Sequence, residues 1–224
     1  MSTQRRLGVL GGTFDPIHYG HIRAGEAAQA ALELDEIRVI PSHDPPHRPV
    51  DPKASAFHRF ALVALAIDGR PGWRLSDTEL TRPGPSYTAH TLRALHAEGW
   101  QPSQIFFILG SDAFAEIATW YDYPAVLKDA IFAVVARPGA AVIDPSALVP
   151  DPAGYIVIEA ATPDVSSTDI RQRLAAGRSI DDLVPAAVAR YIQTQHLYDS
   201  NVSNDPNNPN DPNDPVNDLH GKAK

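Results

Sequence analysis

The sequence predicts an α/β fold in which a doubly wound, mostly parallel sheet carries helices on both faces. Short runs rich in Leu, Val, Ile and Phe alternate along the chain with longer stretches that have helical spacing. Two of the short runs, IFFIL (105–109) and IFAVVA (131–136), contain no polar side chain. Such runs are typical of strands buried on both faces, and helices between them supply the cover. The pattern favours a Rossmann-like arrangement.

The predicted elements follow one another along most of the chain as strand and helix in turn. Strands are predicted where apolar and β-branched side chains cluster, at 6–10, 36–41, 73–77, 104–109, 131–136 and 155–159. Helices are predicted where apolar side chains recur three or four residues apart, at 19–32, 54–68, 88–98, 123–130, 168–176 and 185–195. Helices between successive strands favour parallel pairing, because parallel strands need a crossover connection.

The composition fits one globular domain and excludes several classes of protein. The chain has 224 residues, 43% of them hydrophobic, and a formal net charge of -8. It contains no block of Lys and Arg, so we predict no nucleic-acid partner. Cysteine is absent, which excludes thiolate nucleophiles, Cys-bound zinc and disulfides.

The lengths of the apolar runs predict where in the cell the protein lies. The composition of the last residues predicts where the domain ends. The run at 7–10 is too short for a signal peptide, and the run at 130–136 is too short to span a bilayer. We therefore predict a cytoplasmic protein without a membrane partner. From Asp199 onward Asn, Asp and Pro dominate, so we predict a domain at 1–198 and a disordered tail at 199–224. The sequence does not determine the oligomeric state, and a homo-oligomer is one of the states it allows.

The most informative stretch is GVLGGTFDPIHYGH, residues 8–21. A predicted strand runs into Gly11 and Gly12 and a helix follows, so this turn lies at the carboxyl edge of the sheet, where ligands bind. Glycines let the backbone approach an anion, and the first amides of the helix are unpaired donors. His18 and His21 are three residues apart and share one helix face. The stretch suits a phosphate cradle, although it is neither a Walker loop nor a GxGxxG motif.

Two other interpretations stay open for this stretch. A tight turn alone accounts for the glycines and for Asp15-Pro16, but it leaves the histidine pair unexplained. A metal site would use Asp15 and both histidines with side chains of HDPPH (43–47). However, the Glu of HExxH is missing, and the two prolines of HDPPH keep its histidines off a helix. We assign no metal ligand among the side chains.

With these residues in view, GGTFDPIHYGH resembles the signature of the HxGH nucleotidylyltransferase superfamily. Further segments follow in the order and spacing of bacterial nicotinate mononucleotide adenylyltransferases: PSHDPPHRP (41–49), PSYTAHTL (85–92), ILGSDAF (108–114), WYDYPAVL (120–127), VVARPG (134–139) and VSSTDIRQRL (165–174). The resemblance covers residues 6–198. It implies that ATP and nicotinate mononucleotide give nicotinic acid adenine dinucleotide and pyrophosphate in NAD biosynthesis, with Mg2+ held mainly through phosphates.

ATP would bind at two strand-to-helix turns, with Arg137 contributing from just after another strand. The candidate residues are Gly11, Gly12, Thr13, Phe14, His18, His21, Arg137, Ser167, Thr168 and Arg171. The predicted catalytic residues among them are His18, His21 and Arg171. The histidines would donate hydrogen bonds to the triphosphate, His21 nearest the α-phosphate, where charge builds up. Arg171, one turn into its helix, would present a fixed fork of donors. A solvated helix surface for the histidines and simple N-capping by the residues before Arg171 stay open as alternatives.

The candidate residues for nicotinate mononucleotide are His47, Arg48, Tyr87, Thr88, Asp112, Trp120 and Tyr121. Trp120 and Tyr121 would form an aromatic wall for the ring, and the first amides of the helix at Thr88 would hold its carboxylate. Donors aimed at a carboxylate oxygen would meet an NH2 in nicotinamide, which favours the acid.

The remaining candidates for this substrate have weaker assignments. His47 and Arg48 would bind the 5′-phosphate, with a solvated loop as the alternative, and Asp112 would accept from ribose hydroxyls. Core packing of Trp120 and helix capping by Asp112 stay open. Asp15 is left without a role.

Other functions also stay open. A cytidylyltransferase or a phosphopantetheine adenylyltransferase would share the first motif, although the SYT, GSD and WY segments argue against both. A metal-dependent phosphohydrolase would need the histidines as ligands. A nucleotide-sensing module would bind ATP without turning it over.

Overall fold

Six strands and six α-helices build the fold within the residues that the computed structural model describes, 5–46, 52–137 and 145–199. The strands are β1 (Leu7–Gly12), β2 (Glu36–Pro41), β3 (Trp73–Leu75), β4 (Ile105–Gly110), β5 (Ile131–Ala136) and β6 (Tyr155–Glu159). The helices are α1 (Tyr19–Leu32), α2 (Ala56–Ile67), α3 (Thr88–Ala97), α4 (Ser111–Ala115), α5 (Ser167–Ala175) and α6 (Ala186–Thr194). None of these described helices is long and apolar enough to cross a membrane. The predicted tail lies outside the described residues except for Asp199.

The strands form one sheet in the order β3-β2-β1-β4-β5-β6, and every neighbouring pair is parallel. The predicted doubly wound α/β fold is confirmed, and the sheet is fully parallel where the sequence predicts a mostly parallel one. The strand order reverses between β1 and β4, since β2 and β3 extend from one side of β1 and the later strands from the other. In open sheets of this kind the ligand site lies at that reversal, outside the carboxyl ends of the strands.

Most predicted elements agree with the structure to within two residues, and the exceptions have local causes. The segment 123–130, predicted as a helix, forms only a 3-10 turn at Ala125–Lys128. Pro124 keeps the preceding residue out of the helical region, so no helix begins at residue 123. The strand predicted at 73–77 ends at Leu75, where hydroxyl side chains bond each other instead. The short helix α4 has no counterpart among the predicted elements.

Alternate strand residues pack into two cores, one on each face of the sheet. Leu10 of β1 and Ile108 of β4 lie in a core that also contains side chains of α1, α2, α5 and α6. Their neighbours Val9 and Phe107 lie in a second core with side chains of α3 and α4. Burial on both faces explains why β4 and β5 lack polar side chains.

Arg59 of α2 ties together the loops at the carboxyl edge. It is only 1% exposed and is the largest fully buried side chain among the described residues. Its Nη1 donates to the carbonyl oxygens of Thr13 at 2.7 Å and Ser42 at 2.6 Å, and its Nε donates to that of Ala54 at 3.2 Å. One buried charge thus holds the loop after β1 against the loop after β2, and these charge-assisted bonds offset its desolvation.

Replacing Arg59 by Met, a side chain of similar length, leaves these buried carbonyl oxygens without a donor. We expect Arg59→Met to lower the free energy of unfolding, measured by urea denaturation, by about 3 kcal/mol or more. The control is Arg74→Met, because the Arg74 side chain is 73% exposed. We expect the control to change stability by less than about 0.5 kcal/mol. Equal losses in both variants would contradict the role given to Arg59.

Candidate active site

The turn between β1 and α1 is tightly packed beneath the candidate site. A Cβ on Gly12 would lie 3.0 Å from the Phe14 ring, so the backbone and that ring are already in close contact. Phe14 has a φ of 52° and is 1% exposed. Its side chain belongs to the core. Of the four residues predicted for this part of the ATP cradle, Phe14 therefore has only its backbone to offer, while Gly11 and Gly12 are partly exposed and Thr13 is buried.

His18 and His21 stack at the start of α1, as their spacing predicts. His18 is the N-cap residue, and its backbone amide donates to Nδ1 of His21 at 3.3 Å. Because this Nδ1 accepts, the neutral His21 ring carries its proton on Nε2. The two ring centroids lie 3.7 Å apart. The arrangement fixes the tautomer of His21 and makes its Nε2 a hydrogen-bond donor.

His18 is buried and uncharged at neutral pH. It is 6% exposed, and burial lowers the pKa of its imidazole to about 4. Its Nδ1 has no hydrogen-bond partner within the described part of the chain. Gly20 makes room for this ring, because a Cβ there would lie 3.0 Å from its Nδ1.

The start of α5 lies against the same turn. The Ser167 hydroxyl donates to the Pro16 carbonyl at 2.9 Å. Arg171 donates from Nη1 to the Asp15 carbonyl at 2.6 Å and from Nη2 to Oγ1 of Thr168 at 3.2 Å. Two helix N-termini therefore meet at one end of the sheet, and the positive ends of both helix dipoles lie together there. This is the junction that the sequence predicts.

Ser166 and Arg137 also lie on the ATP side of the candidate site, near the start of α5. The cap residue is Ser166, whose hydroxyl accepts from the amide of Asp169 at 3.1 Å. Capping therefore uses the residue before Ser167 and Thr168. Arg137 follows β5 and donates to Asp164 in the loop before α5 at 2.6 Å. Both side chains of this ion pair are exposed, so a phosphate could compete for the guanidinium.

Asp15, for which the sequence predicts no role, is a buried anchor of the turn. It is 1% exposed. Its Oδ1 accepts from the hydroxyl of Tyr198 at 2.9 Å and from the amide of Ala54 at 3.1 Å, and its Oδ2 accepts from the amide of Lys53 at 2.9 Å. Oδ2 also lies 3.6 Å from Nη1 of Arg171. The carboxylate thus joins the turn to the segment before α2, to α5 and to the residues after α6.

The alternative metal site, built from Asp15, His18, His21 and side chains of HDPPH, is not assembled within the described residues. No group of three or more His, Asp or Glu side chains there could hold a metal ion. The Asp15 carboxylate is engaged by the donors named above. His47, which such a site would need, lies outside the described residues, as does Arg48.

Tyr87, Thr88 and Tyr121 come together at the start of α3. Tyr87 is the N-cap residue and Thr88 begins the helix. The rings of Tyr87 and Tyr121 stack with centroids 4.4 Å apart at an interplanar angle of 20°. Tyr121 is 47% exposed. An accessible aromatic ring therefore lies beside a helix start, whose first amides have no acceptor within the helix.

Core packing is the alternative role for Trp120, and helix capping is the alternative role for Asp112. Trp120 makes edge contacts with Phe107 and Phe132, at centroid distances of 5.8 Å and 6.4 Å, so core packing accounts for part of its ring. It remains partly exposed. Asp112 lies in the first turn of α4, whose cap residue is Gly110, so the helix-capping interpretation is wrong. The exposed Asp112 stands just after the end of β4, at the ligand edge of the sheet.

Two buried polar residues that the sequence does not single out brace the start of α3. Oγ1 of Thr91 donates to Oε1 of Glu79 at 2.5 Å, and the Ser86 hydroxyl is a second partner of Glu79. The Ser86 hydroxyl also accepts from the amide of His43 at 2.9 Å. Burial raises the pKa of Glu79. These bonds join the loop after β2 to α3, and the one signal for them in the sequence is the serine of SYT.

Known proteins resemble this chain over most of its length. The cytidylyltransferase-like family model matches residues 9–173. A protein of Roseiflexus sp. (strain RS-1), named a probable nicotinate-nucleotide adenylyltransferase, is 43% identical over 195 residues, or 86% of this chain and 97% of the relative. A protein of Pseudomonas syringae pv. tomato with the same name is 42% identical over 210 residues, or 87% of this chain and 94% of the relative.

Solved structures show the same fold. The nicotinic acid mononucleotide adenylyltransferase of Plasmodium falciparum, complexed with APC, aligns with a TM-score of 0.68 at 22% identity, over 87% of this chain and 98% of that one. Its complex with NaAD aligns with a TM-score of 0.65 over the same shares of both chains. With the two histidines and Arg171 inside the matched region and the relatives matched over nearly their whole length, the chain belongs to the cytidylyltransferase-like family and, within it, to the nicotinate-nucleotide adenylyltransferases.

Proposed function

We propose that this chain transfers the adenylyl group of ATP to nicotinate mononucleotide, giving nicotinic acid adenine dinucleotide and pyrophosphate in NAD biosynthesis. One observation carries the proposal for the site: the starts of α1 and α5 meet around His18, His21 and Arg171. The names of the relatives supply the second substrate. A cytoplasmic location fits a cysteine-free chain, and we propose it as well.

The reaction needs alignment and charge stabilisation more than covalent chemistry. The phosphate of nicotinate mononucleotide attacks the α-phosphorus of ATP, and the bond to pyrophosphate breaks. His21 donates from Nε2 to an α-phosphate oxygen, where negative charge grows in the transition state. His18, uncharged at neutral pH, donates a hydrogen bond from its ring to another phosphate oxygen. Arg171 supports the phosphates with a fork of donors.

The other residues of the ATP side act mainly through their backbone and through position. Gly11, Gly12, Thr13 and the Phe14 backbone form the floor beneath the phosphates. Ser167 and Thr168 set the start of α5 against that floor, which is consistent with their bonds to Pro16 and Arg171. Arg137 exchanges its exposed ion pair with Asp164 for a phosphate.

On the second side, the exposed ring of Tyr121 and the free edge of Trp120 enclose the nicotinate ring. The first amides of α3, near Tyr87 and Thr88, hold its carboxylate. Asp112 accepts from ribose hydroxyls. His47 and Arg48 bind the 5′-phosphate. Stacking of Tyr87 on Tyr121 supports this pocket by fixing the ring orientation.

We propose that Mg2+ would bind together with ATP, with phosphate oxygens as its main ligands. The contacts of Asp15 support this, because Tyr198 and the amides of Lys53 and Ala54 already engage its carboxylate. When bound, the ion neutralises charge on the departing pyrophosphate. The positive helix ends and Arg171 face the remaining oxygens.

Pyrophosphate release with ATP, Mg2+ and one of three acceptors tests the proposed reaction. We expect release with nicotinate mononucleotide, a kcat/KM at least about tenfold lower with nicotinamide mononucleotide, and no release with phosphopantetheine. The amide is the poorer acceptor because its NH2 meets the amide donors of α3. No release with the nicotinate form would refute the function. Equal kcat/KM for acid and amide would refute the carboxylate pocket at Thr88.

His21→Ala removes the donor proposed for the α-phosphate. We expect kcat to fall about a hundredfold, while ATP still binds, because a preorganised donor acts most strongly on transition-state charge. Steady-state kinetics and calorimetric titration with ATP measure the two effects. His196→Ala is the control, since the His196 side chain is 70% exposed and lies outside the site. A kcat within threefold of the unaltered enzyme would refute the role given to His21 in turnover.

His18 makes stability depend on pH in a defined window. Its folded pKa of about 4 lies below its ordinary value of 6.5. Between these values the unfolded chain takes up a proton that the folded chain refuses, so the free energy of unfolding falls as the pH falls. We expect His18 to contribute about 2 kcal/mol of this loss by pH 5. Urea denaturation at pH 7 and pH 5 should show a smaller loss for His18→Asn, and an equal loss would contradict the burial argument.

A further inference from the structure

The residues that follow α6 return to the turn between β1 and α1. Tyr198 is 7% exposed, and its φ of 70° turns the chain after the helix. Its hydroxyl donates to Oδ1 of Asp15 at 2.9 Å across 183 residues of sequence. Burial, followed by the charge of Asp15, raises the pKa of this hydroxyl well above its ordinary value, so it keeps its proton and remains a donor. No motif in the sequence points to this contact.

The same aspartate touches Arg171 in two ways. Its backbone carbonyl accepts from Nη1 at 2.6 Å, which fixes the guanidinium in place. Its carboxylate stays farther from Nη1, at 3.6 Å, because Tyr198 and the amides of Lys53 and Ala54 hold it from the other side. Arg171 therefore keeps donors for phosphate instead of forming a close fork with the carboxylate.

We propose that Tyr198 is a positioning residue for ATP: its hydroxyl restrains the Asp15 carboxylate, and this restraint keeps the Arg171 guanidinium directed at the triphosphate. The proposal rests on the proposed function. Without the hydroxyl, the carboxylate loses a donor in a buried place and turns toward Arg171, whose Nη1 already lies 3.6 Å from Oδ2. The guanidinium is then held by a carboxylate that competes with phosphate for its donors.

Tyr198→Phe tests this with the ring retained. We expect KM for ATP to rise about tenfold, with KM for nicotinate mononucleotide within twofold of the unaltered enzyme. The control is Tyr191→Phe, which removes a hydroxyl that lies 3.0 Å from Nδ1 of His58 and outside the Asp15 contacts. Both KM values should be unchanged in the control. Equal effects of the two variants, or a Tyr198→Phe chain without a cooperative melting transition, would overturn the proposal, because the hydroxyl would then serve the fold alone.

A double-mutant cycle identifies the route through Arg171. In an Arg171→Ala background, Tyr198→Phe should add less than a twofold change in KM for ATP, because the group that it positions is gone. A full tenfold effect in that background would overturn the proposal. Calorimetric titration with ATP gives the same comparison without turnover. An enzyme inactive with nicotinate mononucleotide would refute the proposed function, while the titration would still decide the role of Tyr198.

Discussion

The buried carboxylate of Asp15 is the constraint on which the geometry of the active site depends. A charge that is 1% exposed must be paired, since an unpaired one would cost several kcal/mol. Its donors come from the segment before α2, from α5 and from the residues after α6. These segments can all donate to the carboxylate only when the turn between β1 and α1 is in its observed position. That position places the histidines at the carboxyl edge of the sheet. Burial of one charge thereby selects the arrangement of four segments.

Arg59 complements this anchor with a buried positive charge. It donates to carbonyl oxygens of the loops after β1 and after β2, so both loops are held from beneath. The two buried charges lie close enough together to affect the same group: beyond the effect of burial, Asp15 raises the pKa of the Tyr198 hydroxyl and Arg59 lowers it. Loops held this firmly suit adenylyl transfer, because donors that are already in place need no reorganisation as charge develops on the phosphates.

Local patterns in the sequence were sufficient to predict the sheet, most helices, and the meeting of α1 and α5 at one edge. The histidine spacing also predicted that the two rings share a face, which the stacking confirms. The role of Asp15 was beyond such reasoning, because its partners lie 39 and 183 residues away and include backbone amides that no motif encodes. Burial of Phe14 was equally hidden, since its ring packs into the core only through a left-handed backbone at φ 52°. The roles assigned to individual residues in binding stay predictions.

The bonds around Glu79 bear on how this protein can change over evolutionary time. Ser86 and Thr91 both bond the same buried carboxylate, and Ser86 also accepts from the amide of His43. Loss of any one member leaves a buried donor or acceptor without its partner, whereas joint replacement by apolar side chains of similar shape can be nearly neutral. Substitutions at positions 79, 86 and 91 are therefore coupled, because exchanging the whole set costs less stability than a single substitution at one of them.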